Sequence, residues 1–250
     1  MRCPVCHEEL TEEEKGYRCP NNHTFDKAKS GYTNMLLNRT NSGDNKMMVN
    51  SRNTFLNKGY FLPLKEEITQ ITKSLKVNSI LDLGCGDGYY DTDLLGNIIY
   101  GVDISKYAVD KASKRKTKNA KYFVANVMDL PFKTGEIDLL INVFAPTSTE
   151  ITRVSNKYIL KVIPDTNHLI ELKEMLYTDV YLNSVKSDEF SGFSLAQEKK
   201  LSYKTECTDV KSLFQMTPYY YKTKDSETLE FPSMDLTFAF ILRLYKKIED

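Results

Sequence analysis

Ser79-Ile80-Leu81-Asp82-Leu83-Gly84-Cys85-Gly86-Asp87-Gly88 is the stretch that decides the fold. An apolar strand, Ser79-Ile80-Leu81, leads into three glycines on alternate positions. Glycine tolerates the sharp turn out of a strand and lets the backbone lie against a ligand. Tyr89 to Leu95 reads as the helix that follows, and Ile98-Ile99-Tyr100-Gly101-Val102 as the next strand, closed by Asp103. Strand, glycine turn, helix, strand and acid in that order form a nucleotide-cofactor grammar. The spacing is D-x-G-x-G-x-G rather than the G-x-G-x-x-G that seats a pyrophosphate. A carboxylate at Asp82 would repel a pyrophosphate but could receive an ammonium group.

S-adenosylmethionine carries such an ammonium, and a ribose diol suited to Asp103. The run resembles the first motif of the S-adenosylmethionine-dependent methyltransferases. That resemblance implies an α/β fold: a Rossmann-like, doubly wound sheet of seven strands, one of them antiparallel. Further elements fit. Ser105 to Lys116 predicts a helix capped by Ser105. Lys121 to Ala125, Ile137 to Phe144, Tyr158 to Ile163 and Leu236 to Leu244 predict strands, and Asn167 to Met175 predicts a helix that includes His168. The family commonly places an Asp where Asn126 stands, to accept from the adenine amino group; an amide oxygen can accept the same bond. Amino-methylating relatives often carry Asn/Asp-Pro-Pro-Tyr/Phe after the fourth strand. Here Asn142-Val143-Phe144-Ala145-Pro146 argues against exocyclic amine chemistry by that route.

Cys3-x2-Cys6 and Cys19-x3-His23, separated by twelve residues, offer four ligands for one structural zinc ion. Glu8 to Arg18 between them could form the two strands of a ribbon, too small to supply its own core, so metal binding would contribute folding free energy. His7 competes with His23 but is sterically poorer beside Cys6, and redox-active thiols are the alternative reading. Cys85 and Cys207 read as packing residues.

Between the two motifs, Lys27-Ala28-Lys29-Ser30-Gly31-Tyr32-Thr33-Asn34 is basic and aromatic, suited to phosphate contact and base stacking, or else a solvated loop. Asn41 to Asn50 reads as a long loop and Met47 to Leu56 as a short helix carrying Arg52. Pro63 opens a helix to about Lys76, with Leu64, Ile68, Ile71 and Leu75 on one face.

The 250 residues carry a formal net charge of +0, so overall charge announces no polyanionic partner, although a local basic face remains open. No apolar run approaches a membrane span and no apolar signal core follows Met1, so a cytoplasmic protein is expected, with its five cysteines reduced or metal-bound.

In combination, the cysteine–histidine module and the glycine turn resemble the bacterial 23S rRNA guanine-N1-methyltransferases over almost the whole chain. Phe25-Asp26-Lys27-Ala28-Lys29, Gly43-Asp44 before Met47-Met48, His168-Leu169-Ile170-Glu171-Leu172-Lys173 and Gln215-Met216-Thr217-Pro218 extend the likeness. The resemblance implies methyl transfer from S-adenosylmethionine to N1 of a guanine in a domain II hairpin of 23S rRNA, in one subgroup linked to macrolide (tylosin-type) resistance. It implies zinc on Cys3, Cys6, Cys19 and His23, and cofactor contacts at Phe61, Gly86, Asp87 and His168, beside Asp82, Gly84, Asp103 and Asn126. It divides the chain into a zinc-binding RNA-recognition module (1–35), a linker with capping helices (36–76) and the transfer domain (77–250). A homodimer is left open. Asp44, His168 and Glu171 are candidate bases, and no catalytic base is assigned. A small-molecule methyltransferase with a zinc-ribbon lid, and a non-catalytic cofactor sensor, are the rival classes.

Overall fold

The computed structural model describes residues 1–38 and 43–248. Asn41 and Ser42, the start of the expected long loop, lie outside the described residues. Three short antiparallel strands, β1 (Thr11–Glu13), β2 (Gly16–Arg18) and β3 (Thr24–Asp26), form the ribbon. Then come β4 (Thr33–Asn34), α1 (Lys46–Asn57) and α2 (Leu62–Ser74). Asn45 caps α1 by accepting from Met48 N–H at 3.0 Å. Pro63 sits in the first turn of α2, where a missing N–H costs nothing. Leu64, Ile68 and Ile71 of α2 are buried, each worth roughly 1.5–3 kcal/mol on leaving water.

The remaining strands are β5 (Ser79–Leu83), β6 (Ile98–Asp103), β7 (Ala120–Val124), β8 (Ile137–Val143), β9 (Ser155–Pro164), β10 (Phe193–Cys207) and β11 (Met234–Lys247). Helices α3 (Lys106–Lys114), α4 (Thr149–Val154), α5 (Ile170–Leu176), α6 (Val210–Gln215) and α7 (Tyr219–Lys222) are distributed among them. The sheet order is β10-β11-β9-β8-β5-β6-β7-β4. β11 alone runs against its neighbours, as expected for one reversed strand. The expected seven strands are joined by an eighth, β4, whose two residues pair in parallel with Phe123 and Val124 of β7.

Two local expectations are corrected. Tyr89 to Leu95 does not form a helix: a single 3-10 turn, Asp91–Asp93, stands there. Gly88 is left-handed at φ 72° and Gly96 precedes β6, so too few residues remain to repay helix nucleation. His168 lies ahead of α5 rather than in it, because Leu169 adopts a left-handed φ of 56° and the helix begins one residue later.

β5 pairs with β6 on one side and β8 on the other, both in parallel. The chain reverses its direction of travel across the sheet at this point, so the carboxyl ends of β5, β6 and β8 open a crevice. No described helix is long and apolar enough to cross a membrane.

Candidate functional site: a glycine turn, a carboxylate pair and a thiol–imidazole cluster

The turn after β5 is built by left-handed glycines: Gly84 at φ 78°, Gly86 at 56° and Gly88 at 72°. Gly84 and Cys85 N–H both donate to Val102 O, which pins the turn to β6. Asp103, at the end of β6, accepts from Gly86 N–H at 3.0 Å and Ser105 N–H at 2.8 Å. Burial pushes the Asp103 carboxyl up, and those two donors and the Arg52 guanidinium only partly offset it. The two N–H donors fix the carboxylate beside the turn and leave lone pairs free for a ligand diol.

Beneath the turn, Asp82 and Asp91 are buried, and none of their carboxylate oxygens has a hydrogen-bond partner among the described residues. Burial raises both carboxyls; the Asp91 charge raises Asp82 further, and Asp91 settles at about 6. Two buried carboxyls without a cation hold a proton or await a positive group. The ammonium and sulfonium of S-adenosylmethionine have the right sign, so this chain's residues fit that cofactor.

Asp87 is differently placed. Its buried carboxylate accepts from Asn53 at 2.6 Å and Arg115 at 2.5 Å. Its backbone carbonyl is also taken, by Arg115 Nε at 2.5 Å, so the side chain expected to contact the cofactor is engaged within the chain. Asn126 is exposed, but its Oδ1 already accepts from Met128 N–H at 2.9 Å. Phe61 is buried in an aromatic cluster with Phe144, His168, Phe238 and Phe240. His168 Nδ1 accepts from Ala239 N–H at 3.2 Å, which leaves the proton of the neutral ring on Nε2. Burial drives His168 down to about 3, with Lys173 adding to the effect. Such a ring is a hydrogen-bond donor rather than a proton acceptor at neutral pH.

The other candidate bases are also engaged. Asp44 pairs with Arg52 at 2.8 Å. Glu171 accepts from Thr237 N–H and Oγ1 and pairs with Lys204. Burial alone would raise Glu171, but these partners together hold it low, a poor state for taking a proton.

Several further residues converge here. Arg52 also donates to Met216 O at 3.2 Å, so α1 ties Asp44 to the end of α6 over Gly86. Lys161, buried within β9, donates to Asn142 Oδ1, Ala145 O and Thr147 Oγ1. The sequence signal for Lys161 was a charge inside an apolar strand. Arg52 was expected only on the short helix Met47 to Leu56, with no role.

At the ribbon, one donor atom each from Cys3, Cys6, Cys19 and His23 lie within 4.8 Å of one another. Cys6 and Cys19 sulfurs are 3.7 Å apart, and Cys3 Sγ lies 3.6 Å from His23 Nδ1. Zn–S bonds near 2.3 Å and Zn–N bonds near 2.0–2.1 Å give tetrahedral edges of about 3.8 and 3.6 Å, so the cluster has the size of a zinc site. The Glu8 backbone N–H, the largest influence on Cys6, lowers its thiol to about 6, which favours the thiolate ligand. His7 is not in the group. Cys85 and Cys207 are buried thiols that burial pushes up, consistent with packing roles.

The basic stretch is partly internal. Lys27 pairs with Glu12, and Tyr32 and Thr33 are buried, so Tyr32 is not free to stack on a base. Lys29 instead lines a groove with Lys114 and Lys116.

Comparison with known proteins agrees with this geometry. Residues 1–39 match the family model described as RlmA, N-terminal, a zinc ribbon, and residues 81–154 match a methyltransferase domain. A Bacillus subtilis (strain 168) protein named as a candidate 23S rRNA (guanine-N1)-methyltransferase is 30% identical, covering 95% of this chain and 93% of its own length. The 23S rRNA (guanine(748)-N(1))-methyltransferase of Streptomyces fradiae is 33% identical, covering 70% of this chain and 67% of its own.

Proposed function

The chain belongs to the 23S rRNA (guanine-N1)-methyltransferase family, and from that membership we propose that it transfers the methyl group of S-adenosylmethionine to N1 of a guanine in 23S rRNA. The observation that carries the reading is one chain holding both a zinc-sized Cys3/Cys6/Cys19/His23 cluster and an Asp103-anchored glycine turn. Cys3 and Cys19 of the first share an apolar cluster with Leu81 and Leu83 of the strand that leads into the second. The substrate within that RNA is a domain II hairpin, gripped by the ribbon of residues 1–35 and capped by residues 36–76 while residues 77–250 transfer the methyl group. The protein works in the cytoplasm, where ribosomes are, and modification of this hairpin confers macrolide resistance of the tylosin type.

When bound, the cofactor supplies an electrophilic methyl group. The chain's own work is to hold Asp103 against the ribose diol and the Asp82–Asp91 pair near the ammonium. His168 and Phe61 form the pocket wall, with the His168 Nε2–H as a donor. Positioning then supplies much of the rate. N1 of a neutral guanine carries a proton on the Watson–Crick edge, so the base must leave its pair and lose that proton. No base is assigned, and Asp44→Ala tests one candidate: retained cofactor binding with lost transfer would favour Asp44, and unchanged transfer would remove it.

Reverse transcription over the hairpin, in rRNA from cells with and without the gene, tests the reading. A methyl on N1 blocks pairing, so a stop confined to the gene-bearing cells is expected. Identical profiles would overturn the assignment.

A further inference from the structure

Phe144 directly follows β8 at the crevice, with 43% of its surface exposed. Its ring joins Phe61, His168 and Phe240, at centroid distances of 6.5, 6.4 and 5.7 Å, and those three partners are buried. Phe144 is therefore the rim of an aromatic cluster that otherwise faces inward. Its backbone is left-handed at φ 59°, a conformation that a side chain with a Cβ disfavours. Such strain persists only where surrounding contacts over-determine it.

Those contacts are present. Asn142 and Lys161 are register partners across β8 and β9. Asn142 Nδ2 donates to Pro146 O at 3.1 Å, and its Oδ1 accepts from Ala145 N–H at 3.2 Å. Lys161 Nζ donates to Asn142 Oδ1 of β8 at 2.9 Å and, in the loop that follows, to Ala145 O at 2.9 Å and Thr147 Oγ1 at 3.2 Å. The next residue, Ala145, lies against the glycine turn: a Cβ built on Gly84 would come within 2.5 Å of the Ala145 Cβ. The loop thus fixes an exposed ring beside the cofactor turn, on the side away from Asp103 and β6.

We propose that Phe144 is the face on which the acceptor guanine stacks once it has left its pair, with Lys161 as the positioning residue that holds the ring there. The inference rests on the guanine-N1 reading above. An extruded base is held by stacking on apolar or aromatic side chains, and stacking leaves its Watson–Crick edge free. Phe144 meets that need with an exposed ring carried by the loop that packs on Gly84 of the glycine turn. Phe61 and His168 do not, being buried behind it.

The test uses the full-length, zinc-loaded protein and a transcript of the hairpin, with wild type alongside every variant. Phe144→Leu keeps apolar bulk and removes the π face. It should lower kcat/KM for the transcript by roughly ten- to a hundredfold, the worth of one base–aromatic stack. The cofactor Kd should be unchanged, and Phe144→Tyr should restore transfer. With 2-aminopurine in place of the methylated guanine, Phe144→Trp should darken the probe relative to Phe144→Leu, because a stacked indole quenches it. Adding Lys161→Met to Phe144→Trp should brighten the probe again. If Phe144→Leu transfers as wild type does, or the probe is equally bright on the Trp and Leu variants, the stacking role is wrong. A weaker cofactor Kd with undisturbed RNA binding would make Phe144 a cofactor lid instead. Unchanged quenching in the double variant removes Lys161. If wild type itself methylates no guanine in the transcript, the guanine-N1 reading fails and the inference falls with it.

Discussion

His168 offers a pH test of its placement among Phe61, Phe144 and Phe240. Burial holds it at about 3, against about 6.5 for a free imidazole in the unfolded chain. A depressed folded pKa means that the unfolded chain binds a proton between these values and the folded one does not. Stability from this group is therefore complete above pH 6.5 and is lost as pH falls toward 3. Between pH 7 and pH 5 the shift spans nearly one and a half pKa units, so the loss is about 2 kcal/mol at roughly 1.4 kcal/mol per unit. His168→Asn keeps an acceptor for the Ala239 N–H and cannot titrate. Urea unfolding of wild type and variant, both zinc-saturated, at pH 7 and pH 5 gives the difference of differences, in which every shared group cancels. Wild type should lose about 2 kcal/mol more than the variant on going to pH 5. Equal losses would mean that His168 is solvated in both states, and the buried, Nε2-protonated ring would have to be abandoned.

Asp103→Asn should raise the cofactor Kd by roughly ten- to a hundredfold, the worth of hydrogen bonds to a charged group, as read by calorimetry; an unchanged Kd would place the ribose elsewhere. Gly84→Ala forces a left-handed alanine and a Cβ 2.5 Å from Ala145, at costs of about 1–2 and 1–3 kcal/mol respectively, so urea unfolding should show a combined loss of about 2–5 kcal/mol. A loss below about 1 kcal/mol would show that the Ala145 loop yields freely. Cys3→Ala with Cys6→Ala should remove one bound zinc per chain by metal analysis and abolish rRNA methylation while cofactor binding persists. Normal rRNA transfer by that variant would exclude the ribbon from RNA recognition.

The central strands were legible because burial on both faces writes itself as apolar runs: every residue of β8 is buried. β10 wrote no such signal. From Ser194 to Lys200 its residues are exposed and held by backbone pairing to β11, and only Phe193, Leu201, Tyr203 and Cys207 reach the core. β4 is two residues long and no pattern could announce it. At the site, the Cys3/Cys6/Cys19/His23 cluster and the place of Asp103 at the end of β6 followed from local spacing. Asp87 and Tyr32 did not yield their orientations, because Arg115 and the packing against α3 that hold them lie far along the chain. Lys161 and Phe144 acquire meaning only through parallel register, which sets Lys161 beside Asn142 across nineteen positions of sequence.

The ribbon also proved to be less self-contained than its cysteine spacing suggests. Zinc was expected to supply the folding free energy that so small a segment lacks. The structure adds a second source. Leu10, Tyr17 and Phe25 are buried in one apolar cluster with Phe123 of β7 and with Leu130 and Phe132. The Tyr17 and Phe123 rings lie 5.7 Å apart. Arg2 donates to Leu130 O and pairs with Asp129 and Glu150, and Lys121 pairs with Glu12 across the same junction. The exposed ion pairs contribute little, whereas three buried apolar side chains contribute several kcal/mol. Loss of zinc would therefore unlock Cys3, Cys6, Cys19 and His23 without detaching the segment from β7. A ribbon seated this way keeps a fixed distance to the glycine turn. The span between the ribbon and the Phe144 rim is then set by packing on Phe123, not by a tether, and on the proposed function a rigid span would let the fold select one base by its position in a hairpin.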